Sequence, residues 1–184
     1  KKGLFRDGDQ VVITSGAQQA IETTAKILCN EGDVIICEDP AFVGSLNAFR
    51  SYGVKLVGVP MDDDGMKPDI LEEALRSNPT TKFIYTIPNF QNPTGRTTTL
   101  QRRKEILALA EKYGVYILED NPYGALRFEG EDVKSIKELD AKGSVLYCGT
   151  FSKTLAPGLR VGYLLGASDV VSKAVVGLQT STVH

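Results

Sequence analysis

Short apolar runs alternate with longer amphipathic segments along the chain. The runs are rich in valine, isoleucine and leucine at consecutive positions, which is typical of strands that are buried on both faces. The segments between them place apolar residues three and four positions apart, as on one face of a helix. The pattern predicts seven strands, over residues 11–14, 34–37, 54–59, 82–87, 115–118, 145–148 and 161–165.

Start and stop signals locate the helices between these strands. Gly32 lies just past the first helix, and Pro68 can open the third because its missing N–H costs nothing there. Thr98 or Thr99 can cap the fourth helix, whose inner face includes Leu100. The predicted helices cover residues 17–31, residues 43–52, a segment from residue 68, and a segment that ends before residue 114.

Strands of this kind belong in a parallel sheet covered by helices. Right-handed crossovers then place the carboxyl ends of the strands at one edge, where α/β proteins bind ligands. The link between the sixth and seventh strands is too short for a helical crossover, so the seventh is predicted to run antiparallel. The sequence therefore predicts an α/β fold: a seven-stranded, mostly parallel sheet with one antiparallel strand and helices on both faces.

Composition narrows the environment and the chemistry. The 184 residues suffice for one domain with a core, and no linker divides residues 1–184. The net charge of −2 argues against a surface for nucleic-acid phosphates, and no apolar run approaches the roughly 20 residues of a membrane helix. His184 is the single histidine and the three cysteines are widely spaced, so no metal site is predicted. We expect a cytoplasmic protein with reduced thiols.

The segment TFSKTLAPGLRVG, residues 150–162, carries the densest candidate chemistry. Lys153 stands between hydroxyl residues, and Arg160 follows seven positions later at the start of a strand. A lysine in a small polar pocket suits a Schiff base with an aldehyde cofactor, while hydroxyls and an arginine suit a phosphate. Alone, the segment also fits a basic surface loop.

Four further segments each follow a predicted strand. SGAQQA is a strand-to-helix turn whose free N–H groups can hold an anion. EDPAF offers Phe42 for ring stacking, and PNFQNPTG holds the Asn92 amide in a rigid turn. EDNPY offers Asp120 as the partner of a protonated pyridine nitrogen, with Tyr123 near a phenolic oxygen. Each segment alone also has a structural interpretation. SGAQQA fits an ordinary helix entry, Phe42 fits a core residue, and PNFQNPTG fits a plain turn. Asp120 fits an aspartate that accepts turn N–H bonds. Together with Lys153, the four segments form a complementary set for pyridoxal 5′-phosphate.

In their order along the chain, the five segments SGAQQA, EDPAF, PNFQNPTG, EDNPY and TFSKTLAPGLRVG resemble those of the large domain of fold-type-I pyridoxal-phosphate enzymes, the class I and II aminotransferases. The subgroup with the nearest likeness contains 2-aminoadipate and aromatic aminotransferases and the related domain of GntR-type regulators. The resemblance spans residues 15–162. It implies that Lys153 forms the Schiff base and carries protons, that Asp120 holds the pyridinium nitrogen, and that Tyr123 completes the catalytic group. The other implied cofactor contacts are Tyr123 and Asn92 at the ring oxygen, Phe42 on the ring, and Gly16, Ala17, Gln18, Thr150, Ser152 and Arg160 around the phosphate.

The implied activity is transfer of an amino group between an amino acid and a 2-oxo acid, by a full-length protein that is a homodimer. Relatives are roughly twice as long, so residues 1–184 are expected to be the large domain alone. An N-terminal arm and a small domain with the substrate-binding arginine would be absent, and the chain alone inactive. Two positions depart from the family pattern: Ala17 stands where serine or threonine is frequent, and Phe42 where tyrosine is frequent.

Three other functions stay open on the sequence. An effector-sensing domain of a GntR-type regulator would use the same cofactor, and would bring nucleic acid as a partner only through an upstream DNA-binding module. A carbon–sulfur lyase or a decarboxylase could use the same scaffold. A cofactor-free α/β binding domain would take up no pyridoxal phosphate.

Overall fold

An eight-stranded mixed sheet forms the centre of the computed structural model, which describes residues 3–182. His184 therefore lies outside the described residues. The strands are β1 (Asp9–Ser15), β2 (Val34–Asp39), β3 (Lys55–Asp62), β4 (Gly65–Met66), β5 (Thr81–Thr86), β6 (Tyr116–Asp120), β7 (Val145–Thr150) and β8 (Val161–Ala167). Their spatial order is β1-β8-β7-β6-β5-β2-β3-β4.

All seven predicted strands are present, and their directions agree with the prediction. β2, β3, β5, β6 and β7 form parallel pairs, whereas β8 lies antiparallel between β1 and β7. The predicted strand count is nevertheless short by one. β4 pairs antiparallel with β3 through Met66 and Gly65, and a strand of two residues is too short to show a hydrophobic period.

Six helices accompany the sheet in the described part of the chain: α1 (Gly16–Leu28), α2 (Val43–Arg50), α3 (Pro68–Ser77), α4 (Leu100–Tyr113), α5 (Ile136–Leu139) and α6 (Ser168–Gln179). Pro68 opens α3, and the Thr99 side chain caps α4 by accepting from Arg102 N. The first helix ends three residues earlier than predicted. The backbone N–H of Asn30 donates to the Asp33 carboxylate at 2.7 Å, and the turn that this bond closes ends the helix. α5 and α6 were not predicted.

The helices cover both faces of the sheet, as predicted. One core packs Ile21 of α1 and Phe49 of α2 against the sheet, with residues of α6 beside them. The other core packs residues of α3, α4 and α5 on the opposite face. Leu100 is 38% exposed, so its predicted inward position is wrong. Arg103 is fully buried on α4 instead and donates to the carbonyl oxygens of Thr98 and Pro88, among others. Within residues 3–182, no helix is long and apolar enough to cross a bilayer.

Candidate active site

The loops at one edge of the sheet surround a cavity of about 290 Å³. β1, β2, β5, β6 and β7 end at this edge, and β8 begins there because it runs the other way. Every predicted site residue except Gly16 lines the cavity, and Gly16 lies just behind it against the Arg160 guanidinium. The lining residues are Ala17, Gln18, Ile21, Phe42, Ile87, Asn92, Asp120, Pro122, Tyr123, Thr150, Ser152, Lys153 and Arg160.

Asp120 occupies the buried end of the cavity. It is the last residue of β6 and is 3% exposed. Its Oδ2 atom accepts a hydrogen bond of 2.9 Å from the Tyr85 hydroxyl, whereas Oδ1 is buried with no hydrogen-bond partner among the described residues. Burial raises the pKa of Asp120 to about 7, and the bond from Tyr85 opposes that rise. A buried carboxylate oxygen without a partner is costly, so this end of the cavity favours a cationic or N–H-bearing ligand group.

Tyr85 and Ser45 lie behind this end of the cavity, where Tyr85 contacts Asp120, and both were missed from the sequence. The Tyr85 ring is fully buried, and its hydroxyl lies 2.8 Å from Ser45 Oγ. Burial and the neighbouring Asp120 carboxylate raise the pKa of Tyr85, so its hydroxyl keeps its proton. The sequence pattern predicts a tyrosine inside an apolar strand to be a core residue. It gives no sign that Ser45 in α2 has a partner. Only the three-dimensional contact identifies either residue.

The opposite end of the cavity suits an anion. In the part of the chain that the structure describes, no side chain caps the N-terminus of α1, and the first turn of α1 has no acidic residue, so backbone N–H groups there are available to a ligand. Two hydroxyls, of Thr150 and Ser152, lie 3.0 Å apart beside them. Arg160 donates from Nη1 to Ser152 Oγ at 3.3 Å and from Nη2 to the Ser15 carbonyl at 3.4 Å. Positive charge, hydroxyls and helix N–H groups therefore converge on one point.

A close backbone approach builds this anion end. Gly162 of β8 pairs with Thr14 of β1. A Cβ at Gly162 would lie 2.5 Å from the Gly16 carbonyl carbon and 2.7 Å from Ala17 N. Only glycine allows β8 to lie so near the start of α1, and this contact brings Arg160 to the helix N-terminus.

A buried carboxylate joins the loops that carry Phe42 and Asn92. Glu38 accepts from Ile87 N at 3.2 Å and from Gln91 Nε2 at 3.0 Å. The same Gln91 Nε2 also donates to the Pro40 carbonyl at 2.8 Å. Burial raises the pKa of Glu38 to about 7. The loop after β2 and the loop after β5 are thereby held together, which fixes the side of the cavity that Phe42 and Asn92 line.

Lys153 lies at the open side of the cavity. Lys153 is exposed and belongs to the loop between β7 and β8. A second, larger cavity of about 770 Å³ shares Asn92 and Tyr123 with the first and is otherwise lined largely by apolar side chains such as Phe90 and Phe128. Lys153 and Asp120 thus line one cavity, the lysine at its exposed side and the carboxylate at its buried end.

The fold and this site define a class of protein. A family model described as aminotransferase class I and II matches residues 3–182. The chain therefore belongs to the class I and II aminotransferase family, as its large domain in the fold-type-I architecture.

Individual relatives agree with this assignment. The chain is 44% identical over 174 residues to aromatic-amino-acid aminotransferase 1 of Thermococcus litoralis, covering 92% of this chain and 42% of the relative. It is 42% identical over 171 residues to the uncharacterized HTH-type transcriptional regulator YisV of Bacillus subtilis, covering 92% and 35%. The crystal structure of Pyrococcus horikoshii kynurenine aminotransferase superposes with a TM-score of 0.91 at 40% identity, covering 97% of this chain and 46% of that one. The chain spans less than half the length of these relatives.

The cofactor of this family is pyridoxal 5′-phosphate, and the residues present fit it. Asp120 Oδ1 is a buried acceptor without a donor among residues 3–182, and a protonated pyridine nitrogen would supply one. The uncapped start of α1, with Arg160 and two hydroxyls, forms a cradle for a phosphate. Lys153 lines the same cavity and provides a primary amine.

Proposed function

We propose that this chain is the large domain of a longer pyridoxal-phosphate-dependent enzyme that transfers an amino group between an amino acid and a 2-oxo acid. One observation carries the proposal: a single cavity joins a partnerless buried carboxylate oxygen of Asp120, an anion cradle at Arg160 and the amine of Lys153. A cofactor-free binding domain would have no reason to bury an unpaired carboxylate oxygen against a cavity.

Each end of the cavity has its own task in this proposal. Asp120 would pair with the ring nitrogen, and Asn92 and Tyr123, which line the same cavity, would donate to the ring oxygen. Phe42, which precedes α2 and lines the cavity, stacks on the ring. The phosphate group is assigned to Gly16, Ala17, Gln18, Thr150, Ser152 and Arg160.

Bound pyridoxal phosphate would supply an aldehyde that captures amines and a protonated ring that accepts electron density. Lys153 Nζ would be the proton carrier of the site, the basic atom that accepts and returns the proton of the substrate α-carbon. Asp120 keeps the ring nitrogen protonated, because an ionised carboxylate in a dry site favours an adjacent positive charge. Water is restricted at the buried end, where Asp120 and Tyr85 are almost inaccessible.

The whole protein would act on an amino acid and a 2-oxo acid and would form a homodimer, as family active sites form between subunits. A reducing cytoplasm suits the free cysteines, since burial raises the pKa of the Cys37 thiol to about 12 and leaves it unreactive. Light scattering of the full-length protein tests the dimer.

Reductive trapping tests the lysine assignment. Borohydride treatment of the protein loaded with pyridoxal phosphate should leave one phosphopyridoxyl group on Lys153, located by peptide mass spectrometry. Lys153→Ala should abolish the adduct. Lys173→Ala is the control: Lys173 is also exposed but lies on α6, and its removal should leave the adduct intact. An adduct at a different lysine, or none in the wild-type protein, would reject the proposed site.

A second candidate is an effector-sensing domain of a transcription regulator, supported by the likeness to the HTH-type regulator of Bacillus subtilis. The two functions separate by turnover. An aminotransferase converts an amino acid and a 2-oxo acid catalytically, whereas a sensor binds the cofactor and an amino acid without releasing product. Incubating the full-length protein with a panel of amino acids and 2-oxo acids, followed by product analysis, distinguishes them, and also detects lyase or decarboxylase products.

A further inference from the structure

Tyr85 connects the acid of the site to the helix that follows the ring-stacking residue. Its hydroxyl donates to Asp120 Oδ2 at 2.9 Å and lies 2.8 Å from Ser45 Oγ in the first turn of α2. Resting on the proposed function, we propose that Tyr85 is a positioning residue that fixes the Asp120 carboxylate, keeps it ionised, and leaves Oδ1 as the oxygen that faces the cofactor nitrogen. Ser45 orients Tyr85 in turn.

The direction of the hydrogen bonds follows from the ionised carboxylate. A carboxylate only accepts, so the single Tyr85 proton must go to Asp120. The Tyr85 oxygen is then an acceptor, and the Ser45 hydroxyl must be the donor to it. The result is a one-way chain from Ser45 through Tyr85 to Asp120. Because all three side chains are buried, water cannot substitute for a missing member.

No other described side chain donates to Asp120, although several titratable groups surround it. Glu38 approaches from β2 and Cys148 from β7, and both interact with its charge. Lys153 and Tyr123 line the same cavity. Glu38 is acidic, and burial and Asp120 keep the Cys148 thiol protonated, so neither stabilises the ionised carboxylate. In the cofactor-free chain, that task falls to Tyr85.

Removing the tyrosine hydroxyl should therefore increase the proton affinity of Asp120. In the bound state, Asp120 and the ring nitrogen compete for one proton, and a carboxylate that has lost a donor competes more strongly. The proton then moves toward Asp120 and the ring becomes neutral. This outcome would weaken the chemistry without touching any residue that contacts the substrate.

The cofactor-free full-length protein gives the first test. Tyr85→Phe should raise the Asp120 pKa by about one unit, as expected for the loss of a hydrogen bond to a charged group. The titration can be followed by NMR of aspartate labelled at Cγ, with Asp120→Asn to assign the resonance. Tyr147→Phe is the matched control, because it removes another buried tyrosine hydroxyl that bonds to Asn121 rather than to Asp120. It should leave the Asp120 pKa unchanged.

The loaded protein gives the second test. With ¹⁵N-labelled pyridoxal phosphate, Tyr85→Phe should shift the ring nitrogen resonance toward the neutral form, and kcat should fall about tenfold with KM changed less than twofold. A purely structural role would not move the ring nitrogen signal.

Two outcomes would overturn the inference: an unchanged Asp120 pKa in a folded Tyr85→Phe protein, or an unchanged ring nitrogen signal. If Tyr85→Phe does not fold, Ser45→Ala decides, since it keeps Tyr85 and removes only its donor. A smaller upward shift of the Asp120 pKa is expected there, and none would reject the proposal. Failure of the wild-type protein to bind pyridoxal phosphate would sink the proposed function alone, because the cofactor-free titration still reports the effect of Tyr85 on Asp120.

Discussion

The two ends of the cavity are built in different ways. At the buried end, Asp120, Tyr85 and Ser45 are all buried, and hydrogen bonds join Ser45 to Tyr85 and Tyr85 to Asp120. At the anion end, Arg160 is exposed and its contacts are long, at 3.3 and 3.4 Å. Electrostatic interactions are strong where water is excluded and weak where it is present. The buried end of the cavity should therefore contribute most to the chemistry of the ring, while the anion end should mainly hold the cofactor.

The largest effect should come from Asp120→Asn. The variant should still bind pyridoxal phosphate, since the phosphate cradle and Lys153 remain, but the ring loses its charged partner. Two unit charges about 4 Å apart interact by about 4 kcal/mol at an effective dielectric near 20, which corresponds to about three powers of ten in rate. Steady-state kinetics of the loaded full-length protein should show that loss in kcat.

Asp64→Asn provides the matched control, because that side chain is exposed and does not line the cavity. It should retain wild-type turnover. Near wild-type kcat in Asp120→Asn would mean that the buried end of the cavity contributes no charge stabilisation.

A second effect concerns pH and stability in the absence of cofactor. The pKa of Asp120 is raised from its ordinary value to about 7, so the folded state binds a proton that the unfolded state has already released. The free energy of unfolding should therefore fall as the pH rises from about 4 to about 7, and level off above that. Asp120→Asn lacks this group and should lose about 3 kcal/mol less than the wild-type protein between pH 5 and pH 8.

Urea unfolding of both proteins at the two pH values measures that difference. Glu119 is also buried with a pKa raised to about 7, and it contributes equally to both proteins. The pKa of Glu38 is raised to about 7 mainly by burial and slightly by the Asp120 charge, so Asp120→Asn also lowers the Glu38 pKa, which adds to the expected difference. Parallel stability curves for the two proteins would show that Asp120 is ionised at no cost, contrary to its orphaned oxygen.

The smallest effect should come from a change at the anion end of the cavity. Arg160→Ala should weaken pyridoxal phosphate binding by about tenfold, a modest loss because the guanidinium is exposed. Affinity for pyridoxal, which lacks the phosphate, should change less than twofold. Arg50→Ala removes another exposed arginine on α2 and should change neither affinity. Equal losses for both ligands would place Arg160 away from the phosphate.

Most of the fold and the lining of the cavity could be predicted from the sequence. Apolar runs locate strands whatever their partners, and residues such as Lys153 and Phe42 follow strand ends, which parallel topology gathers at one edge. The predictions failed where tertiary contact decides. Leu100 is exposed although it was predicted to face inward, and Arg103 is buried instead, because only the folded chain supplies carbonyl oxygens to a buried guanidinium. Tyr85 acts through residues that lie 35 and 40 positions away in the sequence.

The place of β8 in the sheet has a consequence for the order of assembly. The Arg160 guanidinium reaches the carbonyl of Ser15, which lies 145 residues earlier in the chain. Asp120, Tyr85 and Ser45 all precede β7, so a nascent polypeptide emerging from the ribosome contains every member of that group before Arg160 is synthesised. Vectorial synthesis therefore supplies all residues of the buried end before the anion end, which is complete only once β8 has inserted beside β1.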